Sequence, residues 1–128
     1  MSNRPHRASP FRARQAAERR GRFSEGVAAA ALMLRGYRIL ERRYRTRMGE
    51  IDLIVRRGGT VAFVEVKRRA RLDSGMEAVT VRSQARIRRA ANLFIQLNSR
   101  LSGLSLRFDV LVITTWGWPR HIVDAWRD

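Results

Sequence analysis

The 128-residue chain is 45% hydrophobic and carries 27 basic against 11 acidic residues, a net charge of +16. Such apolar content argues against a disordered polycation, and the charge points to a polyanionic partner, with nucleic acid ahead of anionic membrane. Cysteine is absent, which excludes disulfides and thiolate zinc sites, and the longest apolar run, Val27 to Leu34, is eight residues, too short to span a bilayer.

Residues 1–12 read as a basic disordered arm and 13–128 as a single domain. The first 22 residues lack the apolar core of a secretory signal; their composition suits a transit peptide or a nucleic-acid arm, with a cytoplasmic protein as the default. Residues 13–35 are patterned as a helix, with Ala28, Ala31, Leu32 and Leu34 available for a core face and Gly36 as its stop. Gly21 and Gly26 weaken that pattern. Residues 37–45 suit a short edge strand. Two β-rich runs, 50–57 and 60–67, flank Gly58-Gly59 and predict a hairpin closed by a two-residue primed turn. The charged stretch 68–79 reads as a loop. Thr80 is placed to cap a second helix reaching about Leu97, with Ile87, Ala91, Phe94 and Ile95 along one face. Strands are expected over 104–114 and 121–126, with a turn at 116–119. The order of helix, three strands, helix and two strands predicts an α/β fold, a mixed sheet flanked by helices.

Of the basic residues only Lys67 is a lysine; the other 26 are arginines. Arginine cannot be deprotonated in a protein, whereas lysine is a compact point charge suited to organising a water nucleophile or an oxyanion. Lys67 ends the run Val64-Glu65-Val66-Lys67. If Gly58 and Gly59 are the loop residues, Asp52 falls directly opposite Glu65, with side chains about 4.5–5.5 Å apart. Lys67 shares the face of Glu65. Both hairpin faces are otherwise apolar, so the hairpin is expected to be covered on both sides. Buried paired carboxylates need a counter-charge, and hard oxygen donors suit Mg²⁺ or Mn²⁺. Such an ion activates water and offsets phosphate charge. The same register allows a plainer arrangement, in which Lys67 pairs with Glu50 and Asp52 takes backbone amides near Met48-Gly49.

Asp52 followed by Glu65-Val66-Lys67 resembles the PD-(D/E)xK nuclease signature. Gly49-Glu50-Ile51-Asp52-Leu53-Ile54, Phe63-Val64-Glu65-Val66-Lys67-Arg68-Arg69 and Arg107-Phe108-Asp109-Val110 are together similar to the uncharacterised bacterial family UPF0102, also called YraN. Ser24-Glu25-Gly26, Gly36-Tyr37-Arg38-Ile39-Leu40 and His121-Ile122-Val123-Asp124-Ala125-Trp126 fit it too. The family often has asparagine where Arg43 stands and lysine near Ser83. The resemblance implies a restriction endonuclease-like fold, similar to that of Holliday junction resolvases. It also implies Asp52 and Glu65 as catalytic metal ligands, the Val66 carbonyl as another ligand, Glu25 as the helix carboxylate completing the set, and Lys67 as the catalytic residue that organises water.

Arg82, Arg86 and Arg89 share one helical face, where like charges repel unless an anion meets them. With Arg68, Arg69 and Arg71, which follow Lys67, they are the expected nucleic-acid contacts. No base-reading motif is present, so backbone and shape recognition are expected. The expected protein is thus a Mg²⁺- or Mn²⁺-dependent endonuclease acting on branched or structured DNA, with a homodimer by analogy to the resolvases. The competing expectations are a non-catalytic nucleic-acid-binding module and a basic protein bound to ribosomal RNA.

Overall fold

The structure is a computed structural model that describes residues 23–69, 81–115 and 117–127. The expected arm, the start of the first helix, the 70–80 segment with Arg71 and the Thr80 cap, and Trp116 lie outside the described residues.

Residues 23–34 are helical (α1), and Gly26 does not interrupt them. The helix ends as its sequence requires. Gly36 takes φ +88, its N–H donates to the Met33 carbonyl, and the Tyr37 N–H donates to the Leu32 carbonyl, both at 3.0 Å. That paired closure needs a left-handed residue, which glycine supplies without strain. Ala28, Ala29 and Leu32 are buried, whereas Leu34, expected in the core, is 80% exposed because the short helix turns it outward.

The strands are β1 (Arg38–Arg45), β2 (Glu50–Arg57), β3 (Thr60–Arg69), β4 (Ser105–Thr114) and β5 (Arg120–Trp126), with helix α2 (Val81–Leu97) between β3 and β4. They form one sheet in sequence order, parallel between β3 and β4 and antiparallel elsewhere. A parallel neighbour needs a crossover, and α2 lies in that connection. The outcome is the expected α/β architecture, consistent with a restriction endonuclease-like arrangement.

Each sheet face has its own apolar layer. Ile54, Val61, Phe63, Phe108, Val110 and Val112 pack with Ile87, Ala91 and Phe94 of α2. Leu53, Val55, Ala62, Val64 and Leu111 pack with Ala28, Ala29 and Leu32 of α1. The hairpin is therefore covered on both sides, as its two apolar faces demand.

Two polar arrangements hold the frame. In the β1–β2 turn the Thr46 hydroxyl accepts the Met48 and Gly49 N–H groups, and a Cβ on Gly49 would stand 2.5 Å from the Arg86 carbonyl oxygen. Only glycine lets this turn meet the α2 backbone. Across the sheet, fully buried Asp109 accepts both Nε and Nη2 of Arg107 at 2.8 Å and the Asp124 N–H at 2.9 Å, and His121 Nε2 stands 2.7 Å away. Arg107 also donates to the Tyr37 hydroxyl at 2.6 Å. Burial pushes the Asp109 carboxyl up, but the hydrogen bonds from His121, Arg107 and the Asp124 amide outweigh it and hold the group below the usual range. Asp109 thus has the structural role its setting suggests, and His121, to which the sequence assigned nothing, belongs to it. Trp126 stacks on Phe108 with ring centroids 4.1 Å apart, within the core.

Candidate active site at the open end of the hairpin

The hairpin register runs as the glycine turn dictates, from Arg57 opposite Thr60 to Leu53 opposite Val64, and there the ladder stops. Gly58, at φ +58, supplies the left-handed residue of the turn. Continued by one pair, the register would set Asp52 directly against Glu65. Instead Asp52 Oδ2 accepts the Val66 N–H at 2.7 Å. A side-chain acceptor takes over the position of a ladder bond, and β2 and β3 part. This corrects the face-to-face arrangement: two like charges directly opposed destabilise a sheet, and one backbone bond to a carboxylate relieves the contact. In a regular strand the Val66 carbonyl would turn to the same side as its N–H.

The face of β2 changes at the same point. Ile51 packs with the α2 layer and Leu53, two residues on, with the α1 layer. A regular strand would keep both on one face. Opposite this reversal, Arg43 of β1 takes φ +52, a conformation disfavoured for a residue with a Cβ. β1 pairs Arg42 with Leu53 and Tyr44 with Ile51, which sets Arg43 against Asp52.

Four carboxylates converge electrostatically on this point. Burial, and next the charge of Glu65, push the Asp52 carboxyl up to about 7; the Val66 amide opposes the shift, while Glu25 and Glu50 add to it. Burial also raises Glu25 above the usual range, against the charge of Arg43, whose Nε lies 2.9 Å from Glu25 Oε1. Lys67 Nζ lies 3.1 Å from Glu65 Oε1. Glu50 pairs with Arg45 at 3.3 Å in an exposed bridge, so neither half of the plainer arrangement occurs: Lys67 does not pair with Glu50, and Asp52 bonds the Val66 amide rather than the Met48-Gly49 turn.

A cleft of about 200 Å³ between the strands and α2 is lined by Glu50, Glu65, Ser83, Arg86 and Ile87. Ser83 was not anticipated as a lining residue. Its signal was its spacing, one helical turn before Ile87 on the sheet-facing side. Arg82, Arg86 and Arg89 are all exposed on α2, and Arg86 is the one that lines the cleft. Arg68 and Arg69 line a separate cavity of about 430 Å³ with Phe23, Ser24 and Ile113. Among the described residues, no three acidic, histidine or cysteine side chains stand together at metal-ligand spacing. No described helix is long and apolar enough to cross a membrane.

Fold and site together define an α/β protein with an acidic centre where a β-hairpin opens. Residues 24–113 match the Uncharacterised protein family UPF0102. The chain is 52% identical over 116 residues to a UPF0102 protein of Mesorhizobium japonicum, covering 91% of this chain and 93% of that one. It is 48% identical over 124 residues to one of Paramagnetospirillum magneticum, covering 94% and 96%, and 47% identical over 118 residues to one of Methylorubrum extorquens, covering 92% of each. The chain belongs to the UPF0102 family.

Proposed function

We propose that the protein is a cytoplasmic Mg²⁺- or Mn²⁺-dependent endonuclease of the PD-(D/E)xK type, hydrolysing phosphodiesters in branched or otherwise structured DNA. One observation carries the reading. Asp52 is a half-buried carboxyl pushed up to about 7 by burial and by Glu65, with no cationic partner among the described residues. A carboxylate in that position is waiting for a positive charge.

The donors fit a hard divalent ion. Asp52 and Glu65, with the Val66 carbonyl, would hold it, and Glu25 stands in the same electrostatic cluster. Bound there, such an ion supplies Lewis acidity at the phosphate and a more acidic water. The chain's own part is positional. Lys67, held by Glu65 at 3.1 Å, orients the attacking water and meets the charge that develops on phosphate oxygen. Arg68, Arg69, Arg71, Arg82, Arg86 and Arg89 hold the backbone of the nucleic acid. A symmetric pair of copies acting on one branched substrate belongs to the same proposal.

The test is Mn²⁺ titration by calorimetry on wild type and Glu65→Ala. Binding in the first and none in the second is expected. Equal binding by both would remove Glu65 from the metal site.

A second reading, a nucleic-acid-binding module without catalysis, draws on a different observation. Glu65 and Glu25 already have cationic partners in Lys67 and Arg43, and no three acidic groups gather at ligand spacing among the described residues. DNA binding without cleavage in either Mg²⁺ or Mn²⁺ would favour that module.

A further inference from the structure

Arg43 stands out among the arginines in its backbone, its partner and its place. Its φ of +52 puts a long, Cβ-bearing residue in the left-handed region within a strand. Such conformations are strained and persist where surrounding structure imposes them, often at functional sites. Its side chain is three-quarters buried, unlike that of Arg45 two residues on, and its Nε lies against Glu25, itself buried at the start of the described part of α1. Its strand position lies across from Asp52.

A guanidinium has five N–H donors in a fixed plane. Glu25 Oε1 lies 2.9 Å from Nε as an ion pair, without the alignment of a hydrogen bond. No hydrogen bond from the two terminal amino groups is found among the described residues, and the side chain keeps a quarter of its surface open. The ion pair with Glu25 holds the stem, the Nε N–H is left without an aligned acceptor, and no hydrogen bond among the described residues takes up the planar fork. A free fork of this kind matches two oxygens of one phosphate, a geometry a lysine cannot reproduce. The strand position of Arg43 across from Asp52 brings that fork to the acidic centre, where it would add to Lys67 in meeting a nucleic-acid phosphate.

We propose that Arg43 is a phosphate-contacting residue of this site and that Glu25 is the positioning residue that aims it. The inference rests on the reading of the acidic centre as a nucleic-acid site, and it assigns Glu25 to the arginine rather than to a metal. Ion pairing with a backbone phosphate is the chemistry required; no base need be read.

The experiment is binding of a fluorescein-labelled four-way DNA junction, followed by anisotropy in EDTA so that no cleavage intervenes. The proteins are wild type, Arg43→Asn, Arg43→Gly and Glu25→Gln. Asparagine and glycine both accept the left-handed backbone, so relief of strain offsets part of what is lost with the Glu25 ion pair, and binding is measured well below each variant's melting temperature. Each should bind about tenfold more weakly, as loss of a charge-assisted bond implies, with the slope of log affinity against log salt reduced in magnitude by about one. Glu25→Gln is the sharper arm. Removing a negative charge should tighten DNA binding if only net charge matters, whereas loss of aim should weaken it, and weakening is expected. Unchanged affinity and slope in both Arg43 variants, or tighter binding by Glu25→Gln, would overturn the assignment while leaving the nucleic-acid reading intact. Failure of wild type to bind the junction would overturn both.

Discussion

At Asp52 burial and the neighbouring Glu65 push the carboxyl to about 7, so its charge appears only as pH rises toward neutral. A folded pKa above the ordinary 3.8 means the folded state holds this proton more tightly than the unfolded state. The stabilisation is full below the ordinary value and is lost as pH rises from there to about 7, at no more than about 1.4 kcal/mol per pH unit. Asp52→Asn should remove that loss, giving a higher melting temperature than wild type at pH 8 without metal and no gain at pH 4. Mn²⁺ should stabilise wild type at pH 8 and leave the mutant unaffected; identical melting curves for the two proteins at pH 4, at pH 8 and at pH 8 with Mn²⁺ would show that Asp52 is not held among like charges. Lys67 is tested by Lys67→Arg, which keeps the ion pair to Glu65 but replaces a compact ammonium with a broad fork. DNA affinity by anisotropy should stay within about threefold, a difference of less than 1 kcal/mol, while junction cleavage falls by about a hundredfold or more. Retained cleavage would end the argument built on the lone lysine. That lysine was legible from composition. Arg43 was not, because a positive φ leaves no mark on an arginine in sequence.

Among the elements, the hairpin and the turn before it set the site. Gly58-Gly59 fixed the register, and the structure keeps it as far as Leu53 and Val64. The parting of the strands beyond that pair was not readable, because extrapolating a register assumes that every backbone donor finds a backbone acceptor. At Val66 the acceptor is the side chain of Asp52. Gly49 carries the other constraint. An added methyl would lie 2.5 Å from the Arg86 carbonyl oxygen and 2.9 Å from its carbon, so Gly49→Ala must push the β1–β2 turn away from α2. A loss of about 1–3 kcal/mol is expected, read by urea denaturation. Cleavage should fall with it, since Glu50 and Arg86 line one cleft from the two sides. Unchanged stability would mean the turn gives way freely. Nothing in the sequence marked Gly49 as a contact with a helix more than thirty residues away.

Across the whole molecule the charge of +16 dominates encounters with other polymers. Releasing counterions from DNA makes such binding steeply salt-dependent, and a chain contacting five or so phosphates should show a log–log slope of about −4 to −5 on duplex DNA. Anisotropy titrations between roughly 50 and 200 mM salt measure it. A slope near zero would mean that the arginines serve solubility and surface pairing instead. Two helices on opposite faces of a mixed sheet leave the acidic centre at one end of the hairpin, so under the proposed function a nucleic acid held by the arginines would bring its phosphate to carboxylates. A metal at Asp52, or the Arg43 guanidinium meeting the phosphate itself, is what would make that meeting favourable.

The sequence by itself determined the order of elements, the hairpin turn, the two-sided burial of the strands and the residue types gathered near Lys67. These follow from local rules of alternation, glycine placement and charge. Tertiary structure alone decided that Asp52 bonds the Val66 amide, that Lys67 takes Glu65 rather than Glu50, and that Glu25 is held by Arg43. The first and last join residues of different elements, and the second, a choice between a neighbour on the same strand and a residue across the hairpin, depends on how the two strands part. An ionised side chain near several partners settles on the one that offsets burial best, which no spacing within a single strand can specify.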